Sequence, residues 1–116
     1  MGITNRRGAA AEALAVAYLE LIGCHVRERN ARIGGVEVDA LVNEGRDTVL
    51  VEVKLRSHPD FGGAAAAIDT FKRRRLLRAA AVLIGHGHPH VRIDVVAVDL
   101  GAGEARVRHY RAAVTA

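Results

Sequence analysis

The segment 36–56, VEVDALVNEGRDTVLVEVKLR, contains two stretches in which apolar and polar residues alternate. Alternation with a period of two is typical of a β-strand whose two faces differ in polarity. The apolar residues of the first stretch are predicted to share one face: Val36, Val38, Ala40 and Val42. Those of the second stretch are predicted to do the same: Val49, Val51, Val53 and Leu55. Because only the polar residues 44–47 separate the two stretches, they predict an antiparallel hairpin.

Helices are predicted on both sides of this hairpin. Residues 8–22 and 64–85 contain strong helix formers and no proline, and a glycine marks the end of each segment. The apolar residues of the second helix are predicted to face the core: Ile68, Phe71, Leu76, Leu77, Ala80 and Leu83.

Three further strands complete the predicted sheet. A short strand is predicted at 25–32, a strongly β-branched strand at 91–100 and an edge strand at 105–111. The order is therefore α-β-β-β-α-β, followed by the edge strand. A length of 116 residues suits one domain. The sequence thus predicts a single α/β domain over 1–116, with a central mixed sheet flanked by helices.

Composition excludes several classes of protein. No apolar run approaches the roughly 20 residues of a membrane span, and the first 20 residues do not form a secretory signal. We therefore expect a cytoplasmic protein that does not bind membranes. A single cysteine, Cys24, excludes an internal disulfide and a CxxC zinc site.

Positive charge is concentrated in the second half of the chain. Residues 1–69 carry eight basic and ten acidic side chains, whereas residues 70–116 carry nine basic and three acidic ones. This asymmetry suits a protein that holds a polyanion over an acidic centre, although a solvated surface explains it equally well. With two tyrosines, two phenylalanines and no tryptophan, an aromatic platform for unpaired bases is not expected.

The polar face of the hairpin gathers carboxylates. A two-residue loop would set Glu37 opposite Glu52, whereas a four-residue loop over 44–47 would set Asp39 opposite Glu52 and Glu37 opposite Lys54. Both registers bring three carboxylates and one ammonium together, and the sequence does not choose between them. Carboxylates this close repel one another unless a cation neutralises them, and carboxylate oxygens favour Mg²⁺ or Mn²⁺. Charged residues alternating with valines are also what a solvated hairpin face carries.

The order of these residues resembles a known nuclease signature. Asp39 followed by Glu52-Val53-Lys54 is similar to the metal-binding signature of the PD-(D/E)XK nuclease superfamily. The chain more closely resembles the small bacterial YraN family of endonuclease-like proteins. The matching segments are Glu12-x-x-Ala15-x-x-Tyr18-Leu19, Arg29-Asn30-x-Arg32, Glu37-Val38-Asp39, Leu50-Val51-Glu52-Val53-Lys54-x-Arg56, Lys72 and Arg92-Ile93-Asp94-Val95-Val96.

This resemblance implies a restriction-endonuclease-like fold and a magnesium-dependent phosphodiesterase site. Asp39 and Glu52 would be the metal ligands, and Lys54 would position water or stabilise charge. Glu12 would complete the acidic site, with Glu37 as an auxiliary carboxylate. The residues implied to contact phosphate are Arg32, Arg56 and Lys72. Helical spacing within 72–78, KRRRLLR, separately predicts a phosphate-binding stripe of Lys72, Arg75 and Arg78.

The expected function is that of a metal-dependent endonuclease or resolvase-like protein acting on nucleic acid, with DNA the expected substrate. The alternative is a catalytically weak or inactive nucleic-acid-binding adaptor on the same fold. A third interpretation is a protein-interaction domain whose basic helix binds an acidic partner. The small size is compatible with a homodimer that spans a branched or duplex substrate.

Overall fold

The computed structural model describes residues 3–56, 68–101 and 103–115. The elements follow in the predicted order: α1 (Ile3–Leu21), β1 (His25–Ile33), β2 (Val36–Glu44), β3 (Asp47–Arg56), α2 (Thr70–Gly85), β4 (Val91–Gly101) and β5 (Glu104–Tyr110). The loop predicted at 57–63 and the first four residues of the second predicted helix lie outside the described residues. Neither helix combines the length and apolar character that crossing a bilayer requires, as far as the described residues go.

The strands form one sheet in the order β1-β2-β3-β4-β5. The pairs β1-β2, β2-β3 and β4-β5 are antiparallel, whereas β3 and β4 are parallel. Because α2 lies between β3 and β4 in the chain, it is part of the connection that a parallel pair requires. The sheet is therefore mixed, as predicted, and β5 is the expected edge strand.

The hairpin adopts one of the two predicted registers. Asn43 pairs with Thr48 and Glu44 with Asp47, so Gly45 and Arg46 form the turn. This register is the one predicted from a four-residue loop, with one further pair formed inside that loop. Gly45 has a φ of +58°, a conformation that glycine adopts without the penalty that a Cβ atom imposes.

Two separate apolar clusters cover the two faces of the sheet. Buried residues of α1 pack with Val49 and Val51 of β3 on one face, and buried residues of α2 pack with Leu50 on the other. The helix residues are Ala11, Ala15 and Leu19 in α1, and Leu76, Ala79, Ala80 and Leu83 in α2. The domain therefore has three layers, helix on sheet on helix.

The prediction that the four alternating apolar residues of β2 share one face of the strand is wrong. Val36 and Val38 pack in the cluster beneath α2, whereas Ala40 and Val42 pack in the cluster beneath α1. The change of face falls at Asp39. The ladder between β2 and β3 also ends there, with Ala40 and Val51 as its last pair. Before Ala40, residues 36–38 of β2 pair with β1 but not with β3.

The second helix begins later than predicted. Asp69 is its N-cap residue, and the Asp69 Oδ1 atom accepts a hydrogen bond of 2.7 Å from the backbone N–H of Lys72. An aspartate in this position satisfies one of the free N–H groups of the first turn, which fixes the start at Thr70.

A buried polar network joins the ends of several strands. Asp94 is 1% exposed, and its carboxylate accepts hydrogen bonds from Arg92, from His109 and from the backbone N–H of Ala112. The His109 ring also contacts the hydroxyl of Tyr18 at 3.0 Å. Arg92 extends the network to Glu44 and Asp47 in the hairpin. The hydrogen bonds of Asp94 thus connect parts of the fold, which indicates a structural role for this motif residue.

Candidate functional site

The candidate site lies where β2 and β3 separate. One step beyond the last pair of the ladder, the register places Asp39 across from Glu52. The Asp39 Oδ2 atom accepts a hydrogen bond of 2.7 Å from the backbone N–H of Val53. The carboxylate therefore takes the place of a backbone acceptor from the neighbouring strand. This bond holds Asp39 at the point where the sheet opens.

Three carboxylates line one cleft at this point. Glu12 comes from α1, Asp39 from β2 and Glu52 from β3, around an open volume of about 370 Å³. The α1 wall is otherwise made of small residues: Gly8, Ala9 and Ala11. None of these residues has a polar side chain, so the Glu12 carboxylate is the polar side chain that α1 contributes to the cleft.

Glu52 is the most buried of the three carboxylates. The residue is 6% exposed, and its Oε2 atom makes no hydrogen bond of normal geometry. The nearest cation is Lys72 of α2, whose Nζ atom lies 3.5 Å from Oε2. Burial and the neighbouring charge of Asp39 raise the pKa of Glu52 to about 7, although Lys72 and Lys54 act in the opposite direction.

Glu12 experiences the same excess of negative charge. Partial burial, the charge of Asp39 and a hydrogen bond with Asp39 raise the pKa of the Glu12 carboxyl. Arg29 of β1 is the cation that lowers it. Arg29 belongs to one of the segments that carry the family resemblance, but the sequence predicts no role for it. Its approach to Glu12 depends on how α1 crosses the sheet, which the sequence does not specify.

The donor set suits a hard divalent cation. Carboxylate oxygens are the ligands that Mg²⁺ and Mn²⁺ prefer, and a cation would neutralise the charge that raises these pKa values. Glu52 Oε2 is buried and faces the Lys72 Nζ atom at 3.5 Å, so a positive charge already lies beside this oxygen. Within 3–56, 68–101 and 103–115, no three acidic, histidine or cysteine side chains are close enough to enclose an ion by themselves. Asp39 and Glu52 would therefore hold the cation together with water or substrate oxygens, as is usual for Mg²⁺.

The remaining predicted site residues surround the cleft without lining it. Lys54 is half-buried two residues after Glu52 on β3, and its charge acts on that carboxyl. Glu37 is exposed and forms an ion pair of 3.8 Å with Arg32 on the adjacent strand. Arg56 is half-buried at the end of β3.

Two predictions about α2 are wrong. Lys72 does not belong to an exposed stripe with Arg75 and Arg78, because its side chain extends toward Glu52. Phe71 does not face the core but is 68% exposed, and Arg75 is half-buried with its guanidinium 5.5 Å from the centre of that ring. Arg74 and Arg78 are exposed. The helix thus places a cation beside Glu52 and exposes Arg74 and Arg78.

The buried Glu52 predicts that the metal-free protein loses stability as the pH rises. In the unfolded chain this carboxyl ionises near its ordinary pKa of 4.5, but in the folded protein it ionises only near pH 7. Below the lower value both states are protonated and burial carries no charge penalty. Between about pH 5 and pH 8 the penalty develops and costs about 2–3 kcal/mol.

Urea unfolding in EDTA at both pH values measures this loss. The matched control is Glu52→Gln, which retains the shape of the side chain but cannot ionise, so its stability should change less over the same interval. An identical pH dependence in wild type and variant would show that Glu52 is not the buried titrating group.

The element order and the helices on both faces define the class: an α/β protein with a five-stranded mixed sheet. The chain belongs to the uncharacterised protein family UPF0102, whose family model matches residues 11–98. This is the YraN family that the motifs resemble.

Individual relatives agree with this assignment. A UPF0102 protein of Halorhodospira halophila is 46% identical over 95 residues, which cover 82% of this chain and 78% of the relative. Another, from Dechloromonas aromatica, is 45% identical over 97 residues, covering 83% of this chain and 81% of the relative.

Among solved structures, Pyrococcus furiosus SfsA in complex with Ca²⁺ gives a TM-score of 0.47 at 16% identity, over 93% of this chain and 63% of that chain.

Proposed function

We propose that this protein is a metal-dependent nuclease whose active site is the cleft between α1 and the separated strands β2 and β3. The observation that carries the proposal is the convergence of Glu12, Asp39 and Glu52 on that cleft. A solvated hairpin face would leave these carboxylates in water, yet Glu52 is buried and its pKa is raised to about 7. Burial of a carboxyl beside a second carboxyl is costly for folding, and such sites are more often functional than structural.

In this proposal each of four side chains has a separate role. Asp39 and Glu52 hold the cation, with Asp39 kept in position by the N–H of Val53. A bound Mg²⁺ or Mn²⁺ supplies a more acidic water and a clamp for phosphate oxygens. Lys54, on the same strand as Glu52, supplies positive charge for the phosphate as negative charge develops. Glu12, which lines the cleft with Asp39, adds a third carboxylate that accepts a proton or orients a water.

The charge distribution favours nucleic acid as the substrate. The exposed Arg74 and Arg78 lie on the same helix as Lys72, whose Nζ atom is 3.5 Å from Glu52 Oε2. Arginine pairs well with phosphate oxygens because its guanidinium offers a planar fork of donors. We therefore place a nucleic acid backbone along α2, with DNA as the expected substrate and magnesium or manganese as the cofactor.

Calorimetric titration with Mn²⁺ near pH 8 tests the proposed metal site. Wild type is expected to bind one ion, and Asp39→Ala and Glu52→Gln are each expected to bind at least about tenfold more weakly, since even outer-shell changes at metal sites cost that much. Glu20→Gln, which removes an exposed carboxylate further along α1, is the matched control and should bind as wild type does. Unchanged affinity in both site variants would contradict the assignment.

A nucleic-acid-binding adaptor is the second candidate. The observation that favours it is that Lys72 Nζ lies 3.5 Å from Glu52 Oε2, so a side-chain cation already faces the carboxylate that a metal ion would use. If wild type binds duplex DNA in a salt-sensitive manner but takes up no Mn²⁺, the adaptor replaces the nuclease.

A further inference from the structure

Phe71 is an unusual surface residue. It occupies the first turn of α2, is 68% exposed and has the guanidinium of Arg75 at 5.5 Å from its ring centre. Other exposed apolar side chains, such as Leu21 and Ile84, are aliphatic and lack a stacking surface. A ring with a cation over it is held in place by that contact. The surface at this point is therefore aromatic, ordered and positively charged.

The ring belongs to an arginine-rich face of the helix. Positions three, four and seven residues apart lie on one side of an α-helix, so Phe71 shares its face with Arg74, Arg75 and Arg78. The buried residues Leu76, Ala79, Ala80 and Leu83 occupy the side packed on the sheet. Segment 71–78 contains no acidic residue. This face is therefore complementary to an anionic partner that also has an apolar, planar part.

The same turn of helix carries the cation nearest to Glu52, although none of the described residues of α2 lines the cleft. Lys72 directly follows Phe71, and its Nζ atom lies 3.5 Å from Glu52 Oε2. A nucleic acid strand that reaches Glu52 beside Lys72 therefore also meets the first turn of α2. Phosphates supply the anionic part of such a partner and bases supply the planar part.

We propose that Phe71 stacks on an unpaired base of a nucleic acid strand bound along α2, while Arg74, Arg75 and Arg78 contact the flanking phosphates. This inference rests on the proposed function and names its substrate class: nucleic acid with an unpaired nucleotide, such as a splayed or branched end, rather than continuous duplex. In a continuous duplex the faces of the bases are stacked on one another and are not available to the ring. One ring holds one base, so this site differs from the multi-aromatic platform that the composition excludes.

Fluorescence anisotropy in EDTA tests the inference without cleavage. The probes are a labelled duplex with a short unpaired tail, the same duplex with abasic residues in the tail, and a fully paired duplex. Wild type is expected to bind the tailed duplex about tenfold more tightly than the other two, the amount that stacking of one base contributes. Phe71→Leu, which retains apolar bulk but has no aromatic face, should lose this preference, and Phe71→Trp should retain it. Binding of the fully paired duplex should be equal in all three proteins.

The outcomes separate this inference from the proposed function. A preference for the tail that survives in Phe71→Leu, or that persists with the abasic tail, overturns the stacking role alone. Equal binding of all probes by wild type does the same. Failure of wild type to bind any probe at low salt overturns the proposed function as well. Circular dichroism of Phe71→Leu confirms that α2 is intact, as expected for an exposed position.

Discussion

Cleavage of nucleic acid in Mn²⁺ is expected to fall by at least about a hundredfold when Asp39 is replaced by asparagine, because a metal ion supplies several kcal/mol of charge stabilisation in this class of reaction. The asparagine side-chain oxygen can still accept the hydrogen bond from the N–H of Val53, which is 2.7 Å from Asp39 Oδ2. The strand separation should therefore persist in Asp39→Asn. The variant loses negative charge at the cation while retaining the local structure.

The measurement is a time course of cleavage of a labelled branched or tailed DNA by purified wild type and variant. Both proteins are prepared in parallel, so a contaminating nuclease would appear in both. Glu20→Gln makes the same change of charge outside the cleft and should cleave at the wild-type rate. If Asp39→Asn cleaves as fast as wild type, the activity does not come from this cleft.

The hairpin shows how far local pattern determines this fold. The alternation over 36–56, with polar residues between its two parts, correctly predicted two adjacent antiparallel strands. It also limited the register to two choices, because an odd shift would have placed Glu52 opposite an apolar position. The two choices differ in whether Asn43 pairs with Arg46 or with Thr48, and in the structure it pairs with Thr48, with Glu44 opposite Asp47. Both side chains are engaged by Arg92 of β4, a contact that hairpin sequence alone does not include.

The change of face at Asp39 could not be predicted from the hairpin. The valines of β2 keep a period of two through this point, so the pattern predicts one face throughout. The strand instead exchanges one apolar cluster for the other at Asp39, beyond the last β3 pair at Ala40 and at the level of Asn30 in β1, whose φ of +51° interrupts the extended backbone. This separation is the feature that opens the cleft. The residue types of the site were therefore evident from the sequence, whereas the opening that makes them accessible depends on the whole sheet.

The two errors in α2 have a common cause. An apolar residue in the first turn was assigned to the core because hydrophobic periodicity does not distinguish a buried ring from an exposed one. Lys72 was grouped with Arg75 because residues three apart share a helix face. In the structure, Asp69 caps the helix at Thr70 and Lys72 lies beside Glu52. The position of the helix over the sheet decides both side chains, and local sequence does not encode it.

The polar network around Asp94 also depends on parts of the chain that are distant in sequence. Arg92, two residues before Asp94 on the same strand, pairs with it at 3.0 Å. His109 joins the same carboxylate at 2.7 Å from β5, and the N–H of Ala112 does so at 3.0 Å from the segment that follows. These contacts come from parts of the chain that fold back on β4. Asp94 therefore links β5 and the segment after it to β4, through the His109 side chain and the backbone N–H of Ala112.

Replacing Asp94 by asparagine is expected to destabilise the protein by about 3–5 kcal/mol, the cost of removing one partner from a buried ion pair. The side chains of Asp94 and His109 are 1% and 3% exposed, so water cannot take over the lost contacts. An asparagine would also direct N–H groups toward the N–H groups of Arg92 or Ala112, leaving donors without acceptors.

Urea unfolding at neutral pH measures the change in stability. Glu104→Gln is the control, because it removes the exposed Arg106–Glu104 pair, whose side chains are 67% and 63% exposed, and should change stability by less than about 1 kcal/mol. A change of less than about 1 kcal/mol for Asp94→Asn would mean that β5 is held by its backbone ladder and not by this carboxylate.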